Sequence, residues 1–201
     1  VRDAERRARL AELAGNQAHV REAPLQLVWL ADLDRLRQVA TRLERPAEGL
    51  DYTELFLTAV IDAALAAQNA AAAAESLGLG TVYIGGMRNQ PEAVAETLGL
   101  PPGVFAVFGM CVGHPDPTHP AALKPRPPQR VVLHRERYDR EVQQAGLEAY
   151  DRTMTQFYAE QHMNVRGTWG VHSARRVAGP DSLSGRDRLV DALHALGFKL
   201  K

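Results

Sequence analysis

The run from Gln68 to Arg88 constrains the fold more than any other part of this chain. Ala70 to Ala74 continue an alanine-rich helix, Gly78 and Gly80 stop it, Thr81-Val82-Tyr83-Ile84 reads as a short strand, and Gly85-Gly86-Met87-Arg88 closes the run. Alanine has the highest helix propensity, so Tyr52 to Leu77 is expected as the longest helix. So many small side chains let a neighbouring backbone approach closely. A helix apolar over most of its circumference is usually covered on several sides. It is therefore expected either as a central core helix or as the lining of a two-fold dimer seam. Asp62, Gln68, Asn69 and Glu75 interrupt it, which argues against a membrane span. Glycine carries no Cβ, so Gly85-Gly86 can bring bare backbone against a flat ligand; a tight turn after a strand is the plainer alternative.

The remaining elements follow from periodicity and punctuation. Arg2 to Leu13 is expected as an amphipathic helix stopped by Gly15, with Gly15 to Val20 as a loop or short turn. Leu25 to Asp32 reads as a buried strand and Leu33 to Leu43 as a charged helix. Pro91 to Leu98 starts with proline at a favoured position and ends at Gly99, as a short helix should. Val104 to Gly113 is almost continuously apolar, the signature of a strand buried on both faces. His114 to Pro128 reads as a long extended connection, Arg130 to His134 as a fourth strand, and Glu141 to Gln161 and Arg186 to Leu196 as helices.

Composition removes several function classes. The chain has 201 residues, enough for one domain with an appendage, and a formal net charge of +0. No field draws it to nucleic acid or to an acidic membrane. A single cysteine, Cys111, precludes an internal disulfide and suits a reducing cytoplasm, so a cytoplasmic location is expected. Seven histidines lie apart in sequence with no HExxH pair, so no zinc site is expected. Neither a GxSxG elbow nor a Walker loop occurs, and Gly78-Leu79-Gly80 precedes a strand instead of following one, unlike a dinucleotide fingerprint. Leu123-Lys124-Pro125-Arg126 does carry a chemical signal. On an extended, proline-stiffened segment, cations at i and i+2 point to one side and can hold a phosphate; the plainer alternative is a solvated loop.

These motifs occur in a specific order. Gly15-Asn16-Gln17-Ala18-His19-Val20, Gln68-Asn69, Glu75 to Gly80, Tyr83 to Gly86, Phe108 to Gly113, Leu123 to Arg126 and Thr168-Trp169 succeed one another along the chain. Together they resemble the oxygen-insensitive nitroreductase and flavin reductase family, in its larger, NADPH-preferring branch. The resemblance spans nearly the whole chain. It implies an α+β fold with a central, mainly antiparallel sheet flanked by helices, in an intertwined homodimer. One domain over 1–201 is expected, with residues from about 141 to 201 as its helical extension. It further implies FMN held by Gln17 at the polar ring edge, by Tyr83, Ile84, Gly85 and Gly86 along the ring, and by Lys124 and Arg126 at the phosphate. Glu54 matches an acidic residue at the active-site entrance, and Arg186 a cation for the nucleotide phosphates. Gln161 stands where the family has an arginine for the NADPH 2′-phosphate, with Arg166 or His162 as the available substitutes. The family also opens with an Arg-Ser-x-Arg segment. The chain begins past that point, at Val1-Arg2-Asp3 without methionine, and reads as a protein whose N-terminal part is missing.

The expected activity is FMN-dependent oxidation of NADPH with reduction of small-molecule acceptors such as nitroaromatics, quinones or free flavin. The alternatives are a reductase that supplies reduced flavin to a monooxygenase, and a non-catalytic flavin-binding or dimerisation module. In such chemistry the cofactor transfers the hydride, which accounts for the absence of a catalytic triad.

Overall fold

The computed structural model describes residues 1–118 and 122–201. The chain divides into two compact units, residues 1–115 with 184–201, and residues 116–183. The first contains α1 (Ala4–Leu13), α2 (Ala18–Glu22), β1 (Leu25–Asp32), α3 (Asp34–Arg42), α4 (Thr53–Ser76), β2 (Gly80–Ile84), α5 (Pro91–Leu98) and β3 (Val104–Gly113). The second contains α6 (Gln129–Val132), α7 (Arg140–Glu160) and α8 (Trp169–Arg175), after which α9 (Leu189–Ala195) returns to the first. The expected extended connection over 114–128 falls in part on 119–121, outside the described residues.

The apolar run of β3 becomes the middle strand of a three-stranded sheet ordered β1-β3-β2, antiparallel throughout. Both faces of β3 are covered, as its composition requires. On one face lie Leu10, Leu13, Val20, Met87 and Val94 from the α1, α2 and α5 side. On the other lie Ala63 of α4, Leu193 of α9 and the tail residue Phe198. Phe56, Phe105 and Phe198 meet edge to face there, with centroids 5.3 to 6.4 Å apart. This is the α+β architecture that the resemblance implies.

A β-bulge breaks the register. Trp29 pairs with Phe108 but Leu30 pairs with Ala106, so Val107 faces no residue of β1. Pairing with β2 begins only at Gly109. One extra residue inverts the facing of everything beyond it. Phe105 and Val107 point to the α4 side before the bulge, and Met110 and Val112 after it.

Several expectations need correction. Arg130 to His134 is not a strand: its first residues belong to the one-turn helix α6. The β-branched pair Val131-Val132 suggested a strand, but Val131 is buried against Gly146 of α7. A helical turn lets it reach that groove, which is a tertiary override of local propensity. The loop at Gly15 to Val20 is shorter than expected, because α2 starts at Ala18. The helix expected over Arg186 to Leu196 is a 3-10 turn at Arg186–Arg188 followed by α9. The diglycine segment is itself a 3-10 turn, Gly85–Arg88. The expectation that α4 is covered on several sides also fails within this chain. Ala63, Ala67 and Ala71 form its buried stripe, while Leu57, Ile61 and Leu65 on the opposite side are 50%, 56% and 66% exposed. Among the described residues α4 is the one helix long and apolar enough to cross a bilayer by length and composition, yet its alanine stripe packs on the sheet.

In the second unit, Tyr150, Met154 and Tyr158 of α7 form a small core with Trp169 at the start of α8. Thr168 caps α8 by accepting from the Val171 N–H, and Asp151 of α7 accepts from the Gly170 N–H at 2.9 Å.

Candidate functional site

Gly85 and Gly86 are adjacent but do different work. A Cβ on Gly86 would lie 2.3 Å from the Ala14 carbonyl oxygen, so its bare Cα accommodates the protein's own α1 terminus. A Cβ on Gly85 would meet only side-chain tips, Arg88 Nη2 at 3.6 Å and Arg186 Nη1 at 3.9 Å. Of the two glycines, only Gly85 has a Cα that the protein's own backbone leaves open.

The turn gathers polar groups from four segments. Gly15, at φ +96°, takes a left-handed conformation that favours glycine. Beside it lie Asn89 Nδ2, at 3.7 Å from its Cβ position, and Gln17 Nε2, at 4.0 Å. Gln17 is exposed at the start of α2, and its amide makes no cap hydrogen bond there. Asn89 closes the diglycine turn, its N–H donating to the Gly86 carbonyl at 2.9 Å. Arg88 donates to the Val107 carbonyl. Burial, and then the charge of Arg186, push the Arg88 guanidinium below its ordinary pKa. Arg186 Nε and Asn89 Oδ1 are buried with no hydrogen-bond partner among the described residues, which is uncommon for polar atoms away from water. A Cβ-free cradle, an exposed amide and unsatisfied buried polar atoms fit a planar, polar-edged ligand at this turn.

The other expected residues separate into two groups. Tyr83 on β2 is 45% exposed, stacks edge to face on Phe108 at 5.5 Å, and donates to Gln68 Oε1 at 3.4 Å. The Ile84 side chain is buried in the core with Met87 and Leu10, so it can offer a ligand only its main chain. Glu54 is exposed in the first turn of α4, without a hydrogen bond or ion pair among the described residues. In the second unit, Lys124 and Arg126 are exposed on either side of Pro125, whose carbonyl accepts from the Tyr150 hydroxyl at 3.0 Å. That bond fixes the segment to α7. Burial raises the Tyr150 pKa, and neighbouring Arg126 opposes the shift. Arg166 is exposed between α7 and α8, its carbonyl accepting from Arg175 at 3.1 Å.

Arg88 and Asn89 were given no role by sequence reasoning. Their only signal is adjacency to the diglycine pair, and nothing local shows that Arg88 folds back onto a bulge carbonyl. Cys111 is buried and its thiol pKa is raised by burial, opposite to what a reactive thiolate needs.

Residues 1–114 match the model of the Nitroreductase family, and residues 124–201 that of the Nitroreductase family, C-terminal domain. An NADPH-flavin oxidoreductase from Vibrio harveyi is 42% identical over 180 residues, 89% of this chain and 72% of that protein. An oxygen-insensitive NADPH nitroreductase from Salmonella typhimurium is 37% identical over 199 residues, 98% of this chain and 78% of that protein. The solved structure of NADPH:FMN oxidoreductase from Vibrio harveyi complexed with NAD+ superposes with a TM-score of 0.85 at 37% identity, over 100% of this chain and 79% of that one. Fold, motif order and both family models agree: this chain belongs to the nitroreductase family.

Proposed function

We propose that the protein is an FMN-dependent NAD(P)H oxidoreductase that reduces small acceptors, with nitroaromatics, quinones and free flavin as the candidate classes. The observation that carries this reading is Gly85, whose Cα is open except for the tips of two guanidiniums, in a turn closed by Asn89, which shares the surroundings of Gly15 with Gln17. The names of the relatives support the same chemistry. FMN supplies the capacity to accept and pass on a hydride. The residues of the chain bind and orient. Gln17 presents an amide able to pair with a polar ring edge, Gly85 presents its main chain, and Tyr83 presents an exposed aromatic face. Lys124 and Arg126 supply a point charge and a planar fork for a phosphate. Arg166 is the candidate cation for a 2′-phosphate, and Glu54 the candidate acid at the entrance.

The reading includes a homodimer. The Leu57, Ile61 and Leu65 stripe on α4 leaves apolar side chains in water that a second copy would cover.

The test is direct. The purified chain should bind FMN, show flavin absorbance, and oxidise NADPH when given menadione, nitrofurazone or free FMN. The double substitution K124A/R126A should weaken FMN by about 100-fold or more, given roughly 1.5–3 kcal/mol for each of two charged hydrogen bonds. A chain that folds yet ignores added FMN removes the proposal. Relative turnover of the three acceptors decides between a general reductase and a supplier of reduced flavin.

A further inference from the structure

The segment that carries Lys124 and Arg126 hangs on a single bond. Leu123 is 98% exposed, so it gives the segment no apolar anchor. Among the described residues, 122–127 make one hydrogen bond, from the Tyr150 hydroxyl to the Pro125 carbonyl at 3.0 Å. Pro125 and Pro127 follow the two cations, and a residue before proline is kept out of the helical region. The prolines thus limit the local dihedrals of Lys124 and Arg126, but they do not place the segment against the rest of the fold. Proline has no N–H, so its carbonyl is the one main-chain group by which Pro125 can be fastened.

The donor is held more firmly than the segment it holds. Tyr150 is 5% exposed on α7, in a core with Met154 and Tyr158. Its ring meets Trp169 edge to face at 5.0 Å. Trp169 is fixed in turn. Asp151, the next residue of α7, accepts from the Gly170 N–H at 2.9 Å, and Thr168 caps the same turn of α8. Burial, and then Tyr158, push the Tyr150 pKa up against the pull of Arg126, so the hydroxyl keeps its proton and stays a donor at neutral pH. Arg126 is near enough to act on that hydroxyl through its charge, yet forms no ion pair among the described residues. A side chain locked by packing therefore fixes the carbonyl midway between two unpaired cations. Groups ordered in advance lose less freedom when a ligand arrives.

We infer that Tyr150 is a positioning residue for phosphate recognition: through the Pro125 carbonyl, its hydroxyl presets Lys124 and Arg126 before the phosphate binds. The inference rests on the flavin reading for the source of the phosphate, which is FMN. Its structural half can be measured without flavin.

FMN and riboflavin are the probes, since they share the ring and differ in the phosphate. Y150F keeps the aromatic contact with Trp169 and removes the donor. It should weaken FMN about three- to tenfold, the effect of losing one neutral hydrogen bond, and leave riboflavin affinity unchanged. Damage to the core would weaken both ligands alike. Y158F removes a hydroxyl from the same core that makes no hydrogen bond among the described residues, and it should change neither affinity. In the K124A/R126A background, Y150F should have no further effect on FMN, because the groups it places are gone. NMR relaxation of the Lys124 and Arg126 amides reads the structural half in flavin-free protein. Order parameters should lie near about 0.85, as in rigid backbone, in wild type and fall below about 0.6 in Y150F. FMN weakened no more than riboflavin in Y150F overturns the inference. So do mobile Lys124 and Arg126 amides in wild type, a result that needs no variant to fold. A wild type that binds neither flavin removes the flavin reading instead, and relaxation alone then decides the role of Tyr150.

Discussion

At the scale of single residues, the diglycine pair separates a crowded position from an open one. G86A places a methyl 2.3 Å from the Ala14 carbonyl oxygen, a backbone atom that cannot swing aside. Overpacking of this kind costs about 1–3 kcal/mol, or a fall in Tm of roughly 2–4 °C per kcal/mol for a chain of this size. G85A meets only side-chain tips beyond 3.5 Å, so its melting curve should stay within about 0.5 kcal/mol of wild type while FMN affinity drops. Thermal melts and flavin titrations of the two variants check this. A G86A protein that melts like wild type would contradict the close approach. The sequence showed that this pair mattered. It did not show which glycine stays open, because that depends on where Ala14, some seventy residues earlier, comes to rest.

At the scale of elements, α6 and α7 show how packing overrides propensity. Val131 Cγ2 occupies the groove over Gly146, where a Cβ would come within 2.2 Å of it. G146A therefore destabilises the second unit despite a helix-propensity gain of about 1 kcal/mol. Adding V131A should reverse most of the loss, and a double-mutant cycle from denaturant melts gives the coupling directly. Additive effects would mean that the two residues do not touch. The sequence signal for a strand at Arg130 to His134 was two β-branched residues, and it carried no information about a glycine on α7. By contrast, α5 was legible end to end: Pro91 sets its first turn, and Gly99, at φ +65°, ends it. Each of those signals acts within the helix itself.

At the scale of the whole molecule, the α4 stripe and the C-terminus make separate predictions. L65E changes a side chain that is 66% exposed, so the fold should survive by circular dichroism. Sedimentation should shift from dimer to monomer, with loss of bound FMN if the site spans the seam. A wild-type chain that sediments as a monomer removes the dimer. The C-terminal tail is fastened by Asp51, which receives Lys199 Nζ at 2.8 Å and Lys201 Nζ at 3.2 Å. The Lys199 hydrogen bond, more than any other contact, lowers the Asp51 pKa against the opposing cost of burial. A depressed carboxylate contributes stability above its unfolded value of about 4 and loses it as pH falls through the lower folded value. Wild type should therefore lose stability on acidification below about pH 4 more steeply than D51N does, as measured by urea midpoints across that range. Equal slopes would show that the tie contributes nothing.

By itself the sequence determined the β1, α5 and β3 spans, the long alanine helix and the family, through ordered motifs and periodicities that act over a few residues. It placed Gly85 and Arg186 among the candidates without showing that they meet. Tertiary structure alone decided that Gly86 accommodates Ala14, that the bulge frees a carbonyl for Arg88, and that an ion pair of Arg188 with Glu92, across 96 residues, brings Arg186 to Gly85. Local dihedral and hydrophobic preferences are written residue by residue. The meeting of distant groups depends on the register of a whole sheet, and a one-residue bulge is enough to change it.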